Sequence, residues 1–192
     1  MNKRIRVAII YGSAREGRLC DRLVEWVRGQ MADQSMFDIE LIDPRAMAPG
    51  WNAPGSREDG LSRLKMLIGE ADAFVVVTPE YNHGYPAPLK EIIDAAYQEW
   101  NAKVVGFVSY GGTSGGIRAV EQLRQVFAEL HVATVRDGVS VANVWDRIGA
   151  DGKLVPTESI ENALSRMMKQ LAWWAYALRD ARTATPYREI VQ

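Results

Sequence analysis

The stretch AFVVVTPEYNHGYPAPLKEIID, Ala73 to Asp94, decides how this chain folds. Phe74 to Val77 is an unbroken run of buried-type residues, as in a central strand covered on both faces. Thr78-Pro79 breaks the run, and a loop rich in Asn, Gly and Pro follows. A helix re-enters near Pro86 to Leu89, because proline is tolerated in a first helical turn where its missing N–H has no partner to lose. Loops that leave the carboxyl ends of parallel strands are where open α/β sheets bind ligands.

Working outward, Arg6 to Tyr11 reads as a first strand, followed by Leu19, Leu23, Trp26 and Val27 at helical spacing. Phe37 to Asp43 alternates and stops at Pro44, as an outer strand does. Pro44 to Gly55 holds three prolines and two glycines and reads as a loop. Ser56 and Asp59 resemble a capping box for a helix carrying Leu61, Leu64, Leu67 and Ile68. Val104 to Ser109 is a fourth strand, followed by the glycine-rich Tyr110–Gly116 turn and a helix from Ile117 to near His131. Thr134 to Val141 contains a fifth strand interrupted at Asp137-Gly138. Asn143 to Pro156 reads as an excursion before a last helix from Ile160 to Leu178, with 181–192 as a loose tail or dimer arm. Five strand–helix alternations imply an α/β, flavodoxin-like three-layer sandwich: a five-stranded parallel sheet of order 2-1-3-4-5, in a single domain over 1–192. The loops after strands 1, 3 and 4 then converge at one edge.

Composition narrows the function. The chain has 192 residues, 23 basic against 24 acidic, and a net charge of −1. That balance argues against nucleic-acid or membrane-surface partners recruited by bulk charge. A chain of this length buries about 70% of its extended surface and needs no disulfide or metal to fold. The single cysteine, Cys20, forms no internal disulfide, which fits a cytoplasmic protein. The apolar run Val7 to Ile10 is too short for a signal peptide or membrane span.

The loop Gly12–Arg18 follows a strand and opens a helix, so its free N–H groups and the helix dipole favour an anion. Ser13, Arg15 and Arg18 add donors to phosphate oxygens. The glycines, five apart, match neither G-x-G-x-x-G nor a P-loop, so a phosphate monoester fits better than a pyrophosphate. A solvated helix cap with two surface arginines explains the same residues equally well. The loop Pro79–Gly84 can present backbone groups to a flat heterocycle beside Tyr81, or simply turn the chain with Glu80 and Asn82 as caps. His83 and His131, the only histidines, lie in unrelated segments, which disfavours a metal site. Cys20 beside Leu19 reads as a buried helix thiol rather than a nucleophile. Four glycines between Gly111 and Gly116 allow close backbone approach to a ligand.

Together, GSAREGR, PEYNHGYPAPLKEIID and SYGGTSGG resemble the NAD(P)H-dependent FMN reductase family, which includes flavodoxin-like chromate, quinone and azo-dye reductases. The resemblance spans about residues 4 to 180. It implies bound FMN, with NADPH or NADH as co-substrate and a small quinone, flavin or similar acceptor. It implies that Ser13, Arg15, Arg18 and Leu19 hold the FMN phosphate. Pro79, Glu80, Tyr81 and Asn82 would line the isoalloxazine, and Ser109, Tyr110, Gly111 and Gly112 would border its other edge. No side-chain nucleophile or metal is implied, because the flavin carries the chemistry. A homodimer or homotetramer is also implied. Arg18, Leu19 and Cys20 stand where many members carry Ser or Thr, and Pro86-Ala87-Pro88 is stiffer than the usual small residues. The rival readings are a flavodoxin-like electron carrier and a flavin-binding sensor without turnover.

Overall fold

The computed structural model describes residues 4–46 and 56–191. β1 (Ile5–Tyr11) pairs in parallel with β2 (Phe37–Ile42) on one side and β3 (Ala73–Pro79) on the other. β3 pairs with β4 (Val104–Tyr110) over all seven residues, from Ala73 opposite Val104 to Pro79 opposite Tyr110. The order is β2-β1-β3-β4-β5, as the alternation of elements predicts. The interruption at Asp137-Gly138 is resolved as a split outer strand. β5 (Ala133–Thr134) pairs with the start of β4, and β6 (Val139–Val141) pairs with its end.

β3 and β4 are buried along their whole length, so alternate side chains feed two separate cores. Ile5, Val7 and Ile9 point to one face and pack with α1 (Cys20–Ala32) and the long α5 (Glu158–Ala184). Ala8 and Ile10 point to the other, packing with α2 (Ser56–Glu70), α3 (Ala87–Asp94) and α4 (Ile117–Glu129). On that second face Trp100 is fully buried, lies 4.6 Å from the Phe74 ring and 5.5 Å from Phe127, and donates its indole N–H to the Ile93 carbonyl at 3.0 Å.

Three boundaries differ from the expectation. The first helix begins at Cys20 with Leu19 as its N-cap residue. Pro44 to Ala46 form a helical turn rather than open loop; residues 47–55 of the expected loop, and the Ser56 side chain of the capping pair, lie outside the described residues. The last helix continues to Ala184, past the predicted end near Leu178. Its N-cap is Thr157, whose hydroxyl accepts from the Ile160 N–H at 3.3 Å. Leu171, Ala172 and Ala175 keep one face of the helix in the core, and beyond them Arg179 and Arg182 pair with Asp72 at 3.3 and 3.2 Å, where composition alone reads a tail. The excursion at 143–156 is compact: a short 3-10 turn, Val144–Arg147, and a bridge between Ile148 and Leu154.

Because Trp100 joins β3, α3 and α4 at one buried point, Trp100→Ala removes packing and leaves the Ile93 carbonyl unpaired. The expected loss is about 3–5 kcal/mol of unfolding free energy, measured by urea denaturation. A loss below about 1 kcal/mol would mean the aromatic cluster is not a structural centre.

Candidate functional site

Parallel pairing brings the carboxyl ends of β1, β3 and β4 level, and the three loops meet there. Tyr81 joins the first two. Its hydroxyl hydrogen-bonds the Ser13 hydroxyl at 2.9 Å, and the Arg15 guanidinium stacks 3.7 Å from its ring centre. The Ser13 Oγ also accepts from the Arg15 N–H at 3.3 Å. Ser13 is buried while Arg15 is exposed, so a hydrogen-bonded hydroxyl and an exposed cation sit side by side before α1.

Tyr81 to Gly84 form a two-residue hairpin turn, closed by Tyr81 N–H to Gly84 O at 2.9 Å and Gly84 N–H to Tyr81 O at 3.0 Å. Asn82 and His83 both have positive φ, 51° and 67°, the conformation that a type I′ turn requires at both central positions. Such a turn does not use the N–H groups of its central residues, so Asn82 and His83 present theirs outward at an exposed tip.

Glu80 joins the second and third loops. Its N–H donates to Tyr110 O at 3.2 Å. Its carboxylate, 7% exposed, accepts from the Ser114 hydroxyl at 3.0 Å, from the Arg118 N–H at 3.2 Å and from the Arg118 guanidinium at 2.5 Å. Glu80 thus caps α4 from another loop, where helix N–H groups have no partner of their own. Burial pushes its pKa up, but the Arg118 and Ser114 hydrogen bonds more than offset that and hold it below the usual value. On the far side, Asn143 and Val144 N–H groups donate to the Gly112 and Gly111 carbonyls at 3.0 and 3.1 Å. The 143–147 turn therefore holds the glycine loop in place.

Four expected site residues have side chains that are buried or half-buried, so a ligand would meet their backbone. Arg18 does not reach out to an anion. Its side chain is 3% exposed and donates to both Asp43 carboxylate oxygens, to Asp21 Oδ1 at 2.9 Å and to the Ser13 carbonyl. Burial would lower its pKa; the two carboxylates reverse this and raise it. Ser109 is buried and donates to the Gly115 carbonyl at 2.8 Å. Tyr110 buries its ring in the core on the α1 side, and burial raises its pKa. Only the backbones of these two residues can border a ligand. Leu19 is half-buried at the helix N-cap and offers backbone alone. Strand alternation decides the side-chain direction of Ser109 and Tyr110, and the Asp21 and Asp43 carboxylates decide that of Arg18.

Sequence reasoning missed Asp43 and Arg45. Arg45 donates to the Ala14 carbonyl at 3.2 Å and to the Arg15 carbonyl, and its own N–H donates to Asp43 Oδ1 at 2.9 Å. With Arg18 on Ser13 O, three successive carbonyls of the first loop are held by guanidinium groups. The available signal was an Asp and an Arg just beyond β2. The register Ile10 opposite Ile42 sets them beside the first loop. Ser114 and Arg118 were also missed as partners of Glu80.

Cys20 is buried, donates to Val77 O at 3.3 Å, and is raised to about 11 by burial, so it is a neutral thiol at physiological pH. Among the described residues, no group of three His, Cys, Asp or Glu side chains could hold a metal ion.

The donor set fits a planar, phosphorylated ligand. Ser13, Arg15 and the start of α1 offer an anion site. A Cβ on Gly112 would stand in open space, with no atom within 4 Å, so the backbone of the third loop is open to close approach there. Gly116, at φ 87°, could not carry a side chain, since a Cβ there would lie 2.7 Å from the Ser109 Cβ.

A flavodoxin-like sheet with a phosphate-type loop after β1 defines a class of flavin-binding α/β proteins. Residues 5–146 match the family described as NADPH-dependent FMN reductase, and the chain belongs to that family. It is 38% identical over 143 residues to an NAD(P)H-dependent FMN reductase of Schizosaccharomyces pombe, covering 67% of this chain and 69% of that one. It is 31% identical over 176 residues to an NAD(P)H-dependent FMN reductase of Saccharomyces cerevisiae, covering 82% and 91%. The fold is similar to that of FerB, a flavoenzyme NAD(P)H:acceptor oxidoreductase from Paracoccus denitrificans (TM-score 0.70, 21% identity, 88% of this chain and 97% of that one). The chain is accordingly an oxidoreductase with FMN as cofactor and NAD(P)H as electron donor.

The Glu80 clamp generates a pH-dependent prediction. Its folded pKa is depressed, so its contribution to stability is fully present above the unfolded value near 4.5. That contribution is lost as pH falls through the lower folded value. Wild type should be more stable than Glu80→Gln at pH 7, with the gap closing in acid below the unfolded value, as read by thermal melting. A gap that is constant across that range would show the effect is not electrostatic.

Proposed function

We propose that the protein is a cytoplasmic enzyme that draws electrons from NADPH or NADH and delivers them to a quinone, flavin or similar flat acceptor. The observation that carries this reading is the junction at Tyr81. One ring bridges an anion loop and a tight exposed turn, with the unobstructed Gly112 backbone on the neighbouring loop. Bound FMN supplies the hydride and electron chemistry. The protein's part is binding, orientation and electrostatics. The Ser13 hydroxyl and the Arg15 guanidinium hold the phosphate, with the first N–H groups of α1 behind them. Arg15 exchanges its stacking contact on Tyr81 for a charge-assisted bond. Arg18 and Arg45 act as positioning residues: by holding the Ser13, Ala14 and Arg15 carbonyls, they turn that loop's amides toward the anion.

Pro79, Glu80, Tyr81 and Asn82 line the ring. Tyr81 contributes a face, and the Asn82 and His83 amides contribute donors where negative charge develops on the heterocycle. The backbones of Ser109, Tyr110, Gly111 and Gly112 border the opposite edge. A homodimer or homotetramer is part of this proposal. It is supported by Trp173 and Trp174, packed edge to face at 5.0 Å and 64% and 40% exposed on α5. Among the described residues, no helix is long and apolar enough to cross a membrane.

The deciding experiment is anaerobic addition of NADPH to the FMN-loaded protein, followed by a quinone. Flavin bleaching and steady nicotinamide oxidation are expected; bleaching without turnover would turn the reading into an electron carrier. Arg15→Ala should weaken FMN binding by about 1.5–3 kcal/mol while leaving riboflavin, which has no phosphate, nearly unaffected. Equal losses for both ligands would assign Arg15 to loop structure. Asp43→Asn should weaken FMN more than riboflavin as well, through Arg18. An unchanged FMN affinity in that variant would remove Arg18 and Asp43 from the binding apparatus.

A further inference from the structure

The opposite edge of the sheet carries a second cleft, of about 640 Å³. Its walls come from the amino-terminal side: Lys103 just before β4, Tyr97 and Glu99 after α3, His131 after α4, Arg182 near the end of α5, and Tyr187 from the carboxyl-terminal segment. A seven-residue strand is about 23 Å long, so the Tyr81 junction lies at the far end of β3 and β4.

The floor is cationic in an unusual way. Lys103 is 5% exposed, and its ammonium donates to the Ile68 and Gly69 carbonyls at 2.6 and 2.8 Å, in the last turn of α2. Two of its three N–H bonds are accounted for, both on neutral acceptors. Among the described residues, no carboxylate forms an ion pair with it. The nearby Asp72 is already shared by Arg179 and Arg182 at 3.3 and 3.2 Å. The basic side chains lining the cleft are Lys103, Arg182 and Arg188, and the one carboxylate among the described lining residues is Glu99. Burial pushes the Lys103 ammonium down to about 7, and the neighbouring Arg182 adds to that; Asp72 and Glu99 oppose it. A buried cation without its own counter-charge is costly, so Lys103 is only partly protonated at neutral pH, and a bound anion would favour its charged form.

The walls suit a planar body. His131 and Tyr187 meet edge to face at 5.7 Å, tied by a 3.0 Å bond between Nδ1 and the phenol oxygen, and Tyr97 is 55% exposed. This contact draws the carboxyl-terminal segment over the cleft. The volume lies within the range of small-ligand sites, about 300–1,000 Å³, and is large for a lone inorganic anion.

We propose that this cleft is a second ligand site, for a phosphorylated metabolite of nucleotide size, with Lys103, Arg182 and Arg188 taking the phosphates and the Tyr97, His131 and Tyr187 rings taking the planar part. It is independent of the FMN site.

The test uses the full-length, FMN-saturated protein, titrated calorimetrically with ADP, pyrophosphate and adenosine at neutral pH. ADP and pyrophosphate should bind one per chain, and adenosine at least about tenfold more weakly. Lys103→Met and Arg188→Glu should each weaken ADP by about tenfold or more, while NADPH oxidation without ADP stays unchanged. Lys103→Met also frees two helix carbonyls, so if it fails to fold, the exposed Arg188 decides the matter alone. Arg15→Ala should leave ADP affinity unchanged, which separates this site from the phosphate loop. No binding of ADP or pyrophosphate at millimolar concentration overturns the proposal. So does ADP binding that ignores Arg188→Glu and is displaced by NADP⁺, which would place it at the nicotinamide site.

Discussion

The register of three adjacent parallel strands governs this molecule. Tyr11 lies opposite Val77, and Pro79 lies opposite Tyr110. Those pairings set where the chain can leave the sheet, and therefore which loops can touch. Parallel strands buried on both faces admit no slip, because a one-residue shift would exchange the two hydrophobic cores. The Ser13–Tyr81 bond and the Glu80–Tyr110 backbone bond are available only because that register is fixed. They span 68 and 30 positions of sequence yet join neighbouring strand ends.

Charge then stiffens what register has assembled. Isolated surface ion pairs contribute little, but Arg18 and Glu80 at this edge are themselves buried, and Arg18 serves a carbonyl as well as carboxylates. Arg18 links α1, the end of β2 and the first loop through Asp21, Asp43 and the Ser13 carbonyl. Glu80 links the second loop to α4 through Ser114 and Arg118. Removing one partner from such a cluster leaves another buried and unsatisfied, so these residues are constrained together. The price of that rigidity is a fixed charge pattern, and it leaves Arg15 as the exposed cation beside Ser13.

The two edges of the sheet differ in kind. At the carboxyl edge, Arg18 and Arg45 hold the carbonyls of the first loop and the Asn82–His83 turn is exposed, the ground on which we propose an anion next to a flat ring. At the amino edge, helix α2 ends against Lys103, so the negative end of its dipole meets an ammonium. One fold thereby presents cationic ground at both ends while its net charge stays near zero. Overall charge reports little about local fields.

Much of this was legible in the residues. The apolar run Phe74–Val77, its break at Thr78-Pro79, and the five strand–helix alternations determine a doubly wound parallel sheet, because such runs need cover on both faces. The glycines of the third loop and the Ser13–Arg15 pair point to the edge proposed to bind FMN, because backbone approach and anion chemistry limit residue choice. Tertiary structure alone decided the rest. Whether Arg18 faces a ligand or a carboxylate depends on Asp43, 25 residues away, brought close by the pairing of β1 with β2. Whether Ser109 and Tyr110 offer side chains or backbone depends on strand alternation at the exact end of β4. Helix α5 runs on to Ala184 with Arg179 and Arg182 turned inward onto Asp72, a pairing between distant residues that composition cannot tell from a tail. Local sequence reports propensity and chemistry; the direction of a side chain is set by partners distant in the chain.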